Sequence, residues 1–282
     1  MTERTKDVVP GVFSRNAGAY RDRVGTAMDR GEARGRTRVV ELLAPRPGER
    51  VLDLGCGPGI LTLPLAEAVG AGGLVLGVDL ARGMLDLLRA GAPPQVGVAL
   101  MDMEALGVPD GAFDAVSAGH ALQFCPDLGR ALAEVGRALR PGGRFAASVP
   151  RDGTPSPARQ IIDEVFDRRL PPLPQPEDSR ATRRLVGDDD RLAAALAGAG
   201  FLDVAIERIE EVSTYSGPDE VVARTLSWWS TAWRLESVPD LVRESVQAEA
   251  VQALREGLGA GPLTMPGASA VLSARATARA GR

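Results

Sequence analysis

Residues 51–59 constrain this chain more than any other stretch. Val51 and Leu52 run apolar into Asp53, and Gly55, Gly57 and Gly59 follow at alternate positions before Ile60, Leu61, Leu63 and Leu65 begin a helical pattern. A strand, a glycine turn and a helix in that order make a ligand cradle. Glycines lack a Cβ, so the backbone can turn tightly and lie against a bound molecule. The spacing then selects among ligands. A dinucleotide fingerprint needs glycines at the first, third and sixth positions, with a pyrophosphate over the helix start. Counted from Gly55, the sixth position is Ile60 and the third glycine has moved up to Gly59. That argues against NAD or FAD. The Lys-Ser/Thr pair that closes a phosphate-binding P-loop is missing too.

Two further apolar segments end in acidic residues, at Gly77-Val78-Asp79 and at Leu100-Met101-Asp102. An aspartate at a strand end can accept hydrogen bonds from both ribose hydroxyls of a nucleoside. It can equally cap the next helix or turn. Downstream, Leu139-Arg140-Pro141-Gly142-Gly143 forms a turn into another apolar run. Taken in order, Asp53, the three glycines, Asp79, Asp102 and this turn resemble the class I S-adenosylmethionine (SAM)-dependent methyltransferases. The likeness covers residues 45–150 and is similar to the quinone C-methyltransferase and natural-product small-molecule methyltransferase group.

The resemblance implies a set of roles. Gly55, Cys56, Gly57 and Gly59 would pack beside the methionine part of SAM. Asp53 would orient the loop through backbone N–H groups or meet the SAM ammonium. Asp79, with Leu80, would take the ribose, and Asp102 the adenine amino group, with the backbone of Met103 helping; a turn cap is the other reading of Asp102. Met84 and Met103 either pack on the adenine or belong to the core. Gly119 ends the fourth strand, which faces the sulfonium. Tyr20, in a Phe13-x₃-Ala17-x₂-Tyr20 spacing, resembles a lid aromatic, or else packs in the core. Glu104 reads as solvated, Asp114 as structural and Asp127 as a helix N-cap.

Bulk properties set the partner class. A formal charge of −4 and a pI near 5.3 argue against a nucleic-acid partner, which calls for clustered positive charge. Arg21, Arg23, Arg30, Arg34, Arg36 and Arg38 do cluster, but acidic residues are mixed among them, so a solvated helix face is expected. Lys6 is the only lysine, an arginine bias typical of a high-GC bacterial genome. Cys56 and Cys125 offer neither a disulfide framework nor a metal cluster, so no metal is expected. No 18-residue apolar run and no signal-peptide core are present, which points to a soluble, cytoplasmic protein without a membrane span. Monomer and homodimer both stay open.

The expected architecture is α/β. It is a Rossmann-like, seven-stranded sheet with the last strand antiparallel, helices on both faces and an added helical cap. Strands are expected at 50–54, 74–78, 95–101, 113–118, 143–149, 204–212 and 268–278. Helices are expected at 13–43 (broken at Gly25, Gly31 and Gly35), 60–69, 82–88, 128–139, 155–170, 190–199 and 218–255. The whole chain, 1–282, reads as one methyltransferase domain. It divides into an N-terminal helical lid (1–45), a SAM-binding core (46–150) and cap insertions over the acceptor pocket (151–185 and 215–262).

Methyl transfer from a sulfonium is an in-line displacement, so holding donor and nucleophile together is the main task. An O- or C-acceptor can still need a base. His120, the only histidine, follows the fourth strand directly, next to the expected methyl group. It is the candidate base or acceptor-orienting group, with a packed histidine as the bland reading. Related families carry histidines two or three residues later, where Gln123 and Phe124 stand here, so their acid/base pattern does not transfer. Phe166, Tyr215, Trp228, Trp229 and Trp233 are candidates for an apolar acceptor pocket. The sequence thus points to transfer of a methyl group to an oxygen, or a carbon, of a small, fairly apolar metabolite in bacterial secondary metabolism. S-adenosylhomocysteine would be the second product. One alternative is a SAM-binding fold that catalyses cyclisation instead; another is a quinone-type C-methyltransferase.

Overall fold

The computed structural model of the protein describes residues 4–151, 153–173 and 176–277. Seven strands form one sheet: β1 (Arg50–Leu54), β2 (Leu74–Asp79), β3 (Val96–Leu100), β4 (Phe113–Gly119), β5 (Leu139–Arg151), β6 (Phe201–Tyr215) and β7 (Leu263–Ala276). Their order is β3-β2-β1-β4-β5-β7-β6, with β7 antiparallel to both neighbours. The order reverses between β1 and β4, and in open parallel sheets ligands bind in the crevice outside the carboxyl ends of strands at such a point.

Twelve α-helices are described: α1 (Thr5–Arg15), α2 (Ala17–Asp29), α3 (Arg34–Leu43), α4 (Thr62–Val69), α5 (Arg82–Gly91), α6 (Leu128–Ala138), α7 (Pro157–Arg169), α8 (Arg180–Val186), α9 (Asp189–Gly198), α10 (Pro218–Leu226), α11 (Trp229–Glu236) and α12 (Asp240–Leu258). The two-residue alternation of the strands sorts them onto faces. Val51, Ala115 and Ala146 meet Val39 and Leu43 of α3 and Leu65 of α4. Leu52, Leu54 and Val116 meet Leu132 and Val135 of α6 and Leu196 of α9 on the other side. A separate core joins Ile162 and Phe166 of α7 to Val222 of α10 and to Val246 and Leu254 of α12.

Several boundaries differ from expectation. Helix α2 runs unbroken through Gly25, because packing around the buried Val24 outweighs the roughly 1 kcal/mol that glycine costs in a helix. The stretch 218–255 is three helices. Pro239, which has no N–H to continue a helix, sits as the N-cap of α12. The Pro141-Gly142-Gly143 turn is absorbed into β5 as a bulge: Leu139 opposes Phe113 but Arg144 already opposes Ala115. Strand β7 starts at Leu263 and not at 268, since β6 extends to Tyr215 and pairs with it throughout. The expected end of that strand, at 278, lies outside the described residues.

Candidate active site

A cleft continuous with solvent opens at the carboxyl ends of β1, β2 and β4, and α1 and α2 border its outer side. The glycine turn forms its floor. Gly55, Gly57 and Gly59 all hold positive φ, at 59°, 54° and 99°. Cβ atoms built at Gly55 and Gly59 would sit 2.5 Å from Ala121 Cβ and 2.6 Å from Leu88 Cδ1, whereas one at Gly57 meets nothing nearer than Tyr20 at 4.0 Å. Gly55 and Gly59 therefore let the turn pack, and Gly57 leaves room.

Asp79 reaches across from β2. Its Oδ2 accepts from the Gly57 N–H at 2.9 Å and its Oδ1 from the Ala81 N–H at 2.8 Å. It does not cap α5, whose N-cap is Ala81. Burial raises the Asp79 pKa, against the lowering effect of the Ala81, Gly57 and Leu80 N–H groups. The carboxylate thus fastens the second strand end to the turn while lining the cleft with Leu80 and Met84.

Asp53 bonds side-chain hydroxyls and not the N–H groups of the glycine turn. It is almost fully buried and accepts from the Thr62 hydroxyl at 2.6 Å and the Ser117 hydroxyl at 2.7 Å, tying β1 to α4 and β4. Its carboxylate borders a smaller recess with Tyr20, Arg36 and the glycine turn. Burial first, helped by the charge of Asp79, pushes its pKa up to about 6 from 3.8, despite both hydroxyls. A raised folded-state pKa favours the fold below the unfolded value, and that contribution is lost as pH rises through the folded value. About two units correspond to roughly 3 kcal/mol. Urea unfolding of the wild type should therefore lose up to about that much stability between pH 4 and pH 7, relative to Asp53→Asn. Parallel pH profiles for the two proteins would remove burial as the cause.

The end of the cleft expected to take adenine holds a contact the sequence did not disclose. Lys6 of α1 donates to Asp102 Oδ2 and to Glu104 Oε2, both at 2.6 Å. Asp102 Oδ1 accepts from the Glu104 N–H at 2.9 Å, so the turn-cap reading of Asp102 is realised, and the residue still lines the cleft with Met103. Glu104 is not solvated. It is 6% exposed and also accepts from the Asp127 N–H, because it joins α1 to the start of α6. Asp127 does cap α6, through the Arg130 N–H. Asp114 is structural, accepting from the Arg50 N–H and pairing with Arg140. Cys56 turns into the core beside Leu85 and Leu88 and touches only the smaller recess.

Toward the expected methyl group, Gly119 and His120 line the cleft with Ala121 and Phe124. His120 takes a φ of 53°, uncommon for a residue with a side chain and typical of constrained functional segments. Its Nε2 lies 3.0 Å from Ser269 Oγ. Burial, reinforced by the charges of Arg36 and Arg23, holds its pKa well below the ordinary value, so the ring stays neutral. An edge-to-face series of rings, Tyr20–Phe13–Phe124–Trp229, runs from the glycine turn to α11 with spacings of 5.6, 5.4 and 5.4 Å. Of the other aromatics expected there, Phe166 and Tyr215 belong to the separate helical core. Trp228 is not helical: it is the exposed N-cap of α11. Arg23 and Arg36 leave the solvated face assigned to them and turn toward Tyr20, at 5.2 Å from its ring and 3.4 Å from its hydroxyl. The three-residue step from Tyr20 to Arg23 on one helix was the only sequence signal for this.

A methyltransferase-domain family model matches residues 52–147. Nocamycin O-methyltransferase from Saccharothrix syringae is 34% identical over 270 residues, which cover 90% of this chain and 93% of that protein. The chain belongs to the class I SAM-dependent methyltransferases. SAM is accordingly the cofactor of this methyltransferase, and the glycine cradle, the two cleft aspartates and the methionine-lined wall suit it. Among solved structures, phosphoethanolamine N-methyltransferase 2 from Haemonchus contortus, in complex with SAM, matches with a TM-score of 0.53 at 18% identity. That match covers 86% of this chain and 52% of the other. The cyclase SpnF matches at 0.51 and 20% identity, over 87% of this chain and 80% of the other. At those identities the likeness is one of fold. No described helix is long and apolar enough to cross a membrane. Among the described residues no group of three metal-ligating side chains is present.

Proposed function

We propose that this methyltransferase moves the methyl group of SAM to an oxygen of a small, fairly apolar metabolite of bacterial secondary metabolism. The series of rings from Tyr20 to Trp229 beside His120 carries this reading, since it offers an apolar body a wall at the expected methyl end. The O-methyltransferase named above, alike over nearly the full chain, supports an oxygen acceptor over a quinone carbon. When bound, SAM supplies a methyl group already activated by the sulfonium. The chain's task is then binding and alignment.

In this reading Asp79 and Leu80 hold the ribose, Asp102 and Met103 the adenine edge, with Met84 against the ring. Gly55, Gly57 and Gly59 shape the floor, with Cys56 supporting it from the core. Asp53 and Gly119 flank the methionine end. Tyr20 and α1 close the cleft from outside and exclude water, and α11 with the cap bounds the acceptor side. His120, neutral and engaged with Ser269, orients the acceptor instead of titrating. A flat kcat profile from pH 6 to 8 is expected; a rise with a midpoint in that range would restore it as a base.

The test is incubation with isotope-labelled SAM and a metabolite extract of the source organism, read by mass spectrometry. S-adenosylhomocysteine with a product 14 mass units heavier is the expected result. Substrate conversion without that gain would overturn transfer in favour of a reaction such as cyclisation.

A further inference from the structure

His120 is held at more points than a packed histidine needs. Its backbone N–H donates to the Ser148 carbonyl at 2.9 Å, and its own carbonyl accepts from Gln123 Nε2 at 2.7 Å. These contacts brace the left-handed backbone from which the ring reaches β7. There Nε2 lies 3.0 Å from Ser269 Oγ, and that oxygen lies 3.3 Å from Glu211 Oε2 on β6. The other Glu211 oxygen accepts from the Gly35 N–H at 2.7 Å, near the start of α3. Only a glycine allows that approach, because a Cβ on Gly35 would sit 2.5 Å from Ser269 Cβ. Ser269 is fully buried, so its single hydroxyl proton serves either His120 or Glu211.

The donors available decide where that proton goes. A carboxylate brings only lone pairs, so a serine proton turned toward His120 would leave Oγ and Oε2 facing each other with no hydrogen between them. Donation to an ionised group is also roughly twice as strong as a neutral hydrogen bond. Ser269 therefore donates to Glu211 and accepts from His120 Nε2. The ring is neutral, so a proton on Nε2 leaves Nδ1 bare. Nδ1 meets no partner among the described residues, yet it is not one of the enclosed side-chain atoms left unpaired. It is the ring nitrogen open to the cleft that His120 lines. A bare imidazole nitrogen accepts from a hydroxyl and opposes a carbonyl or an ionised carboxylate, lone pair against lone pair.

We propose that Glu211 and Ser269 are positioning residues that lock His120 in its Nε2–H tautomer, so that Nδ1 receives a hydroxyl of the acceptor. This rests on the methyltransferase reading above and narrows its acceptor to one that carries a hydroxyl within reach of His120. Ser269 and Glu211 are not among the residues that line the cleft, and they act through the ring.

His120 is the chain's only histidine, so nitrogen NMR of untagged, isotope-labelled protein reads its tautomer directly. The wild type should show Nε2 protonated and Nδ1 bare at neutral pH. Glu211→Gln should reverse this. Its amide oxygen keeps the Gly35 N–H and its amide nitrogen donates to Ser269. The serine hydroxyl then turns to His120 Nε2, and the ring proton moves to Nδ1. Calorimetric titration in saturating S-adenosylhomocysteine reads the consequence for recognition. The wild type should bind 2-naphthol at least about tenfold tighter than 2-methoxynaphthalene, roughly 1.4 kcal/mol. Glu211→Gln should lose that preference and gain affinity for 2-acetylnaphthalene, whose ketone oxygen only accepts. Ser269→Ala cuts the same link with a smaller residue if the glutamine variant does not fold. It should mix the two tautomers and weaken the naphthol preference. A merely packed histidine would keep one tautomer in all these proteins. That result, an Nδ1–H ring in the wild type, or equal binding of 2-naphthol and 2-methoxynaphthalene would overturn the proposal while leaving methyl transfer intact. Failure of S-adenosylhomocysteine itself to bind would sink both.

Discussion

Gly55→Ala is expected to lower the unfolding free energy by about 2–5 kcal/mol and to raise the SAM dissociation constant at least about a hundredfold. Two costs add at this position. The φ of 59° is left-handed, which costs a residue with a Cβ roughly 1–2 kcal/mol. The new methyl would also lie 2.5 Å from Ala121 Cβ, far inside contact distance. Ala121 follows His120 at the end of β4, so relief of the clash parts the glycine turn from the strand end opposite it. Overpacking of this kind typically costs about 1–3 kcal/mol. Gly57→Ala is the control. Its φ of 54° carries the same backbone strain, but the nearest neighbour of its Cβ is Tyr20 at 4.0 Å. That variant should fold with a loss of about 1–2 kcal/mol and still bind SAM poorly, because its methyl projects into the cleft. Thermal melts and equilibrium dialysis separate the two effects. A Gly55→Ala protein as stable as Gly57→Ala would show that the turn yields without disturbing β4.

The contrast between these glycines also shows which parts of the site were legible in the sequence. Asp53, Gly55, Gly57, Gly59 and Asp79 could be read because a tight turn between a strand and a helix is a local constraint, met by few residue types. What each group binds was less legible. Asp53 sits where expected, but its partners Thr62 and Ser117 come from α4 and β4, and only the folded sheet brings Ser117 to it. Lys6 is 96 residues from Asp102, and no pattern within either segment links them. Arg23 has the same history. A helix with mixed charges reads as solvated, and only the fold places Trp228 over that guanidinium. Phe166 and Tyr215 were placed at the acceptor pocket on residue type alone. Helical periodicity says that such a face is buried but not against what, and here α12 supplies the partner. The parallel strands were located closely because short β-rich runs bounded by turns are distinctive. The long β6–β7 ribbon was shortened because its half-exposed alternation with charged residues resembles a loop at both ends.

Asp79→Ala should raise the SAM dissociation constant at least about tenfold, roughly 1.4 kcal/mol, and destabilise the fold as well. Ribose binding alone would account for the first effect. The structure adds the second, because the same carboxylate accepts from the Gly57 and Ala81 N–H groups. With alanine in place both donors lose their partner in a half-buried setting, at a cost of about 1–3 kcal/mol for each one left unsatisfied. The turn carrying Gly57 is then no longer fixed to the end of β2. Asp79→Asn distinguishes the contributions. Its carbonyl oxygen can satisfy one backbone donor, but its amide group faces the other with a second donor. It should therefore melt between wild type and Asp79→Ala while binding SAM as poorly as the alanine variant. Affinity must be measured well below the melting midpoint of each variant, so that only folded protein is counted. An Asp79→Asn protein with wild-type affinity would detach Asp79 from the ribose and leave it solely as the clamp between β2 and the glycine turn.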